Sequence, residues 1–332
     1  MLRRFAVSAL LLAAVVALPR PSLTPSAHPS SVHAAGMTKV SFYLNWITNV
    51  EFAGIWVAQQ KGWWKEAGLD VSARGFDFSN DPVVFVGAGK FTFGFQDGAA
   101  IIQARAQGIP VKAVYASAQK SPFAFITMPN SGITSVRSFK GKRIGYQTHQ
   151  KYVLEAMLNN VGLSFKDITP VVVQFDPTVL LAGKVDAYLA FLTNEPIQLA
   201  QTKNLKVNVI PASDYGYKFY SDVLFATDST IQSNPELVRK VVAVMDRGWR
   251  YALAHPAETA RIVVPKLDKQ DTVAQQTGEM TAFGPLSKTS DASVGHMSAA
   301  TWQYGINLLL KYKQITKSVP ASAVFTTQFL PK

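Results

Sequence analysis

The run VSFYLNWITNVEFAGIWVAQQKGWWKEAGLDV, from Val40 to Val71, constrains this chain more than any other part of it. A short apolar strand stops at Asn45 and Trp46, a helix begins just beyond Asn49, and a Gly-bounded turn at Gly68 leads into a second strand. A strand that ends on an aromatic ring and side-chain amides where a helix starts puts those groups at the carboxyl edge of a sheet. In open α/β sheets that edge is where ligands bind.

The pattern repeats. Strand-like runs at Val40 to Leu44, Leu69 to Arg74, Phe91 to Phe95 and Val111 to Ala116 alternate with helical ones at Phe52 to Lys61, Pro82 to Ala88 and Gly98 to Gln107. Such alternation implies parallel strands joined by crossover helices, a doubly wound sheet. A second set follows, with strands at Arg143 to Tyr146, Ile168 to Val173, Ala187 to Phe191 and Val207 to Ile210 and helices at Tyr152 to Asn160, Thr178 to Ala182 and Ile197 to Gln201. Between the sets, SPFAFITMPNSGITS from Ser121 and SDVLFATDSTIQSNPE from Ser221 share one form, an apolar strand followed by a polar turn. Two such crossings around an inserted middle domain make a double hinge. Beyond Asn234 the pattern is helical, with Ser233 the expected N-cap before Pro235 and apolar positions at Val238, Val241, Val242 and Met245. Further helices are expected at Ala257 to Val264 and Ala299 to Tyr312.

Arg3 and Arg4 precede an apolar run from Phe5 to Leu18, and a Pro/Ser-rich stretch ends at Ala34-Ala35. This is the layout of a secretory signal, residues 1–35 being leader and linker. An uncleaved anchor is the alternative. The chain has no cysteine, which excludes disulfides, thiolate metal sites, a cysteine nucleophile and a lipid-modified N-terminal Cys. Net charge is +12, of which Arg3, Arg4 and Arg20 belong to the leader. The basic residues are dispersed, which argues for attraction of anionic solutes or a membrane surface and against nucleic acid.

Asn45-Trp46 with Asn49, Gly62 and Gly68-Leu69-Asp70-Val71 resembles the start of the solute-binding proteins that feed ABC importers for thiamine pyrimidine precursors, riboflavin and related compounds. The likeness continues through Gly89-Lys90-Phe91-Thr92-Phe93-Gly94, Phe139 to Tyr146, Gly183-Lys184-Val185-Asp186-Ala187 and Asn194-Glu195. It implies the two-lobe periplasmic-binding-protein-like (type II) α/β fold. Lobe I is expected at 37–124 and 225–332, and lobe II at 125–224. It also implies a monomeric, exported receptor, in a periplasm or on the outer face of the cytoplasmic membrane, that passes a planar nitrogen heterocycle to an ABC permease and its ATPase without a cofactor. An alkylsulfonate-binding protein and a pyrimidine-synthesising enzyme of the same fold are the alternatives. Related fungal enzymes use a Cys-rich motif that this chain lacks.

Binding a flat heterocycle needs rings for stacking and a few fixed polar groups for its edge. Trp46 is the first candidate, with lobe packing as its other reading. Asn45 and Asn49 offer amides to a ring edge, or cap the helix starting near Glu51. Gln96 and Asp97 leave a strand at the mouth of the next helix, where Asp97 serves equally as an N-cap. Asn80, in the loop Phe78-Ser79-Asn80-Asp81, sits at the corresponding place after the previous strand. Tyr146-Gln147-Thr148-His149-Gln150 joins a strand to a helix whose N-terminus favours carbonyl or anionic oxygen. That loop lacks the Gly and Ser of a phosphate site, and His149 is otherwise a surface residue. The resemblance places Glu195 in the pocket, accepting from an aminopyrimidine or uracil-like edge; a helix start before Pro196 is its structural alternative. Tyr188 or Phe191 adds a ring wall, Tyr215, Tyr217 and Tyr220 supply further aromatics, and Gln119 completes the candidate set. The histidines have no metal-ligand spacing, and neither a nucleophile elbow nor a phosphate-cradling Gly loop is present.

Overall fold

Residues 36–77, 79–267, 271–288 and 294–331 are described by a computed structural model of the chain, and those from Met37 onward belong to one unit. The leader expected over residues 1–35, and Phe78 of the Phe78–Asp81 loop, lie outside the described residues.

Among the described residues, ten strands make two five-stranded sheets. The first joins β1 (Thr38–Tyr43), β2 (Leu69–Arg74), β3 (Phe93–Gln96), β4 (Val111–Ala118) and β10 (Ser221–Thr227) in the order β2-β1-β3-β10-β4. The second joins β5 (Phe123–Thr127), β6 (Arg143–Tyr146), β7 (Thr169–Val172), β8 (Ala187–Phe191) and β9 (Asn208–Pro211) in the order β7-β6-β8-β5-β9. This is the two-lobe type II arrangement expected, with one refinement. The sheets are mixed rather than purely parallel: β10 runs antiparallel between β3 and β4, and β5 antiparallel between β8 and β9. The physical reason is the double crossing. The strand that enters each sheet from the other lobe starts at the cleft edge, where the parallel strands end, so it must run the opposite way.

The crossings are 119–122, between β4 and β5, and 212–220, between β9 and β10. The lobe boundaries expected at 124 and 224 fall inside β5 and β10; on sheet membership we propose the division at the two crossings.

Helices cover both sheets. In the first lobe, Ala53–Gln60 packs on Pro235–Ala254, whose Val238, Val241, Val242, Met245 and Trp249 form a buried stripe at helical spacing. The two backbones touch at a glycine pair: a Cβ on Gly248 would lie 2.2 Å from the Gly54 carbonyl oxygen. That close crossing fixes the N-terminal end of Ala53–Gln60, and with it the Asn49–Glu51 turn at the cleft.

Ser233 is not the N-cap expected for the long helix. Thr227 already caps a short helix over Asp228–Ser233, its hydroxyl accepting from Thr230 N at 3.0 Å, so Ser233 is a last-turn residue. Asn234 takes the cap position without a side-chain hydrogen bond. A helix not anticipated, Val273–Phe283, packs against the Val50–Phe52 turn of the first lobe and against Glu195–Lys203 of the second. No helix among the described residues is long and apolar enough to cross a membrane.

Candidate functional site

The ends of β1 and β3 and the start of β10 meet at one edge of the first sheet, facing the ends of β6, β7 and β8 and the start of β5 in the second. Between them lies a cleft of about 690 Å³, within the usual range for a small-molecule site.

After β1 the chain bends through Asn45 to Asn49. The Trp46 carbonyl accepts from Phe76 N at 2.9 Å, which ties this loop to the one after β2. The Trp46 ring reaches across to the second lobe. It stands edge-on to Phe175 at 5.2 Å between centroids, and nearly parallel to Phe191, 16° between planes and 6.4 Å between centroids. Phe123 packs against Phe191 at 4.8 Å. The second lobe thus presents a wall of Phe123, Phe175, Phe191 and Tyr152.

The polar lining of the first lobe is acidic. Asn49 caps the turn, its Oδ1 accepting from Glu51 N at 2.9 Å, and its Nδ2 donates to Glu51 Oε2 at 3.4 Å. Gln96 Nε2 donates to Asp81 Oδ2 at 2.9 Å. Asp97 holds the N-cap position of Gly98–Ala106 without capping it; its Oδ1 accepts from the Ser221 hydroxyl instead. Burial, which disfavours the charged form, pushes the Asp97 carboxyl up to about 6 against the pull of that hydroxyl. Glu279, from Val273–Phe283, accepts from Gln275 Nε2 and Gln276 Nε2 at 3.0 Å each, and burial pushes it up to about 8. Gln276 Oε1 accepts from Val50 N at 3.0 Å, so this helix also braces the Glu51 turn. The second lobe contributes Thr148, His149, Gln150 and Lys151 at the start of Lys151–Asn160, with Thr193 and Asn194 after β8.

Asn45, Trp46, Asn49, Gln96 and Asp97 are therefore brought together on the cleft. The other six candidates lie behind or beside it. Glu195 is buried in the first turn of Glu195–Lys203, where its Oε2 accepts from Phe191 N at 2.9 Å, so it holds the strand end that carries the Phe191 ring. Burial pushes it up to about 7. Tyr217 is buried behind the aromatic wall, donating to Tyr152 Oη at 3.3 Å and packing edge-on to Phe123. Tyr188 points into the far side of the second sheet and donates to the Gln174 carbonyl at 3.2 Å, because its position on β8 alternates away from the cleft face. Tyr146 packs into the second-lobe core against Phe165. Gln119 sits on the first crossing, donating to the Ala116 and His296 carbonyls at 3.1 and 3.0 Å. Asn80 is exposed beside the lining residue Asp81.

Glu51, Glu279 and Phe175 line the cleft and were not anticipated, nor was Asp222 behind Glu51. One signal was available for Asp222: an acid inside the apolar strand SDVLFAT.

Residues 49–259, more than half of the chain, match the family described as NMT1/THI5 like. The chain belongs to the NMT1/THI5-like family. It is 27% identical over 323 residues to the riboflavin-binding protein RibY of Chloroflexus aurantiacus, covering 94% of this chain and 91% of that one. It is 30% identical over 236 residues to the 4-amino-5-hydroxymethyl-2-methylpyrimidine phosphate synthase THI13 of Saccharomyces cerevisiae, covering 66% and 68% respectively. Among solved structures, the periplasmic aliphatic sulphonate binding protein SsuA of Escherichia coli superposes with a TM-score of 0.70 over 89% of this chain and 94% of that one, at 16% identity. One of these relatives is named as a binding protein and one as a synthase, so function is argued from the cleft and not from the fold.

Proposed function

We propose that this protein is the exported solute receptor of an ABC importer and binds a planar nitrogen heterocycle between its lobes. The ligand is an aminopyrimidine of the thiamine-precursor type or riboflavin, and delivery is to a membrane permease driven by an ATPase. The observation that carries this reading is the pair of nearly parallel rings, Trp46 and Phe191, one on each lobe. A flat ring sandwiched between them needs about 7 Å, two carbon–carbon contact distances; the 6.4 Å between the centroids falls short of this, so the lobes must open to admit the ring. Stacking on both sides rewards closure of the lobes over the ligand, a hinge motion about the two crossings.

The acidic lining supports a donor-bearing heterocycle over the alternatives. A sulfonate needs a basic, hydroxyl-rich site, whereas Glu51, Asp81, Asp97 and Glu279 line this cleft against His149 and Lys151 on the opposite lobe. The enzyme alternative finds no Cys in the chain, and the lining offers stacking and hydrogen-bonding groups.

Purified protein should be titrated with 4-amino-5-hydroxymethyl-2-methylpyrimidine, riboflavin and ethanesulfonate by calorimetry, and bound ligand recovered for mass spectrometry. Saturable binding of a heterocycle, recovered intact, is the expected result. Binding of the sulfonate alone would refute the ligand class, and a chemically altered heterocycle would establish the enzyme instead.

A further inference from the structure

Asp222, the second residue of β10, is fully buried and adopts a left-handed backbone at φ +50. Among the described residues no donor reaches either of its carboxyl oxygens in hydrogen-bonding geometry, although both are buried. The polar groups acting on it are the Glu51 carboxyl, Asp97 and the Asn45 amide, all on the cleft. Asn45 Oδ1 is itself buried without a donor. A buried carboxylate without donors costs several kcal/mol, and two adjacent carboxylates offer each other only acceptors. The contact becomes a hydrogen bond when one of them keeps a proton.

We propose that Glu51 and Asp222 act as one proton-sharing carboxyl pair at the floor of the cleft and read the amidine edge of the bound ring. Glu51 donates its proton to a ring nitrogen and accepts from the neighbouring exocyclic amine, while Asp222 and Asn45 complete the pattern behind it. The surroundings hold that proton in place. Both carboxyls are pushed up, chiefly by burial, and the charge of Asp97 adds to the effect on each. Glu195 and Glu279, each pushed up by burial and by the nearby Glu51, are the other carboxyls around the pair, and Asp81 acts on Asp97. The amides of Asn45 and Asn49 are neutral, and His149 and Lys151 line only the opposite lobe. An amidine edge, one acceptor beside one donor, matches a carboxyl that carries a proton. The imide edge of a flavin also sets an acceptor beside a donor and can meet the same carboxyl, whereas a sulfonate, acceptors only, returns no donor to it. This inference rests on the proposed heterocycle receptor and names the groups that would read an aminopyrimidine within it.

The test uses the full chain and a 4-aminopyrimidine, with Kd measured from pH 5 to 9. Above the pH at which the pair loses its proton, affinity should fall about tenfold per pH unit, because one proton leaves with the ligand. Glu51→Gln carries a donor and an acceptor that do not titrate, so it should retain binding and abolish that alkaline limb. Asp222→Asn, in a backbone conformation that Asn tolerates, should shift the limb to lower pH by removing the partner that holds the proton. Circular dichroism checks that each variant is folded. An aminopyrimidine bound with the same pH profile by wild type and a folded Glu51→Gln overturns the pair's role and leaves the receptor standing. Failure to bind any heterocycle overturns both.

Discussion

Trp46 and Phe191 face each other from opposite lobes with 16° between their planes and 6.4 Å between their centroids. Neither ring is held by its own lobe's core alone. Trp46 sits on a loop tied to Phe76, and Phe191 ends β8 against Phe123, so both present a face to the cleft.

Removing one of these faces should weaken ligand more than fold. Trp46→Ala is expected to raise Kd for the bound heterocycle roughly tenfold to a hundredfold, the range for losing one aromatic face from a stacked base. Trp46→Phe should recover most of it. Calorimetry on both variants checks this; equal affinity in Trp46→Ala and wild type would leave the ring a packing residue.

A second contact between lobes lies away from the crossings. Gly278, on Val273–Phe283, meets Glu195–Lys203: a Cβ there would stand 2.7 Å from Ile197 Cγ2 and 3.2 Å from Gln201 Nε2. Gly278→Ala should therefore hold the lobes apart. Helix propensity alone favours Ala by about 1 kcal/mol, so thermal stability should not fall, while ligand affinity should drop several-fold and the radius of gyration from small-angle scattering should rise. A variant that closes and binds as wild type does would show that Ile197 simply turns aside.

These two relationships mark the boundary of what was legible from residues alone. β2, β6 and β8 begin and end where their apolar runs do, at Leu69–Arg74, Arg143–Tyr146 and Ala187–Phe191, because Gly and polar turns bracket them. Asn45, Trp46 and Asn49 could be read because they interrupt such a run. The helix Val273–Phe283 could not, since its buried face carries Gln275, Gln276 and Glu279 and so breaks the apolar period. Asp222 and Glu51 meet only because β10 returns antiparallel beside β3, a pairing that no local pattern encodes. Tyr188, Tyr146 and Tyr217 are aromatic and near the cleft in sequence, but strand alternation and packing turn them inward.

Glu195 offers a way to separate holding from touching. Its Oε2 accepts from Phe191 N, so Glu195→Ala leaves a buried N–H without an acceptor, a loss of about 1–3 kcal/mol in stability, and loosens the Phe191 ring. Glu195→Gln keeps an acceptor at that place. Stability and ligand affinity should both fall in the Ala variant and both be largely retained in the Gln variant, as read by denaturant unfolding and calorimetry. Lost binding in a fully stable Glu195→Gln would instead put the carboxylate on the ligand.

The same residue sets a direction for stability against pH. Burial raises the Glu195 carboxyl from its ordinary 4.5 to about 7, and lifts Asp97 and Glu279 to about 6 and about 8. A carboxyl whose folded value is raised binds more protons folded than unfolded, so stability is greatest at the acid end of this window and declines as pH climbs through it. For Glu195 alone the shift corresponds to on the order of 3 kcal/mol. The ligand-free protein should thus melt several degrees lower at pH 8.5 than at pH 5 in matched ionic strength, and Glu195→Gln should flatten part of that slope. A melting temperature that rises from pH 5 to 8.5 would mean that these carboxyls are charged in the folded protein and meet cationic partners there.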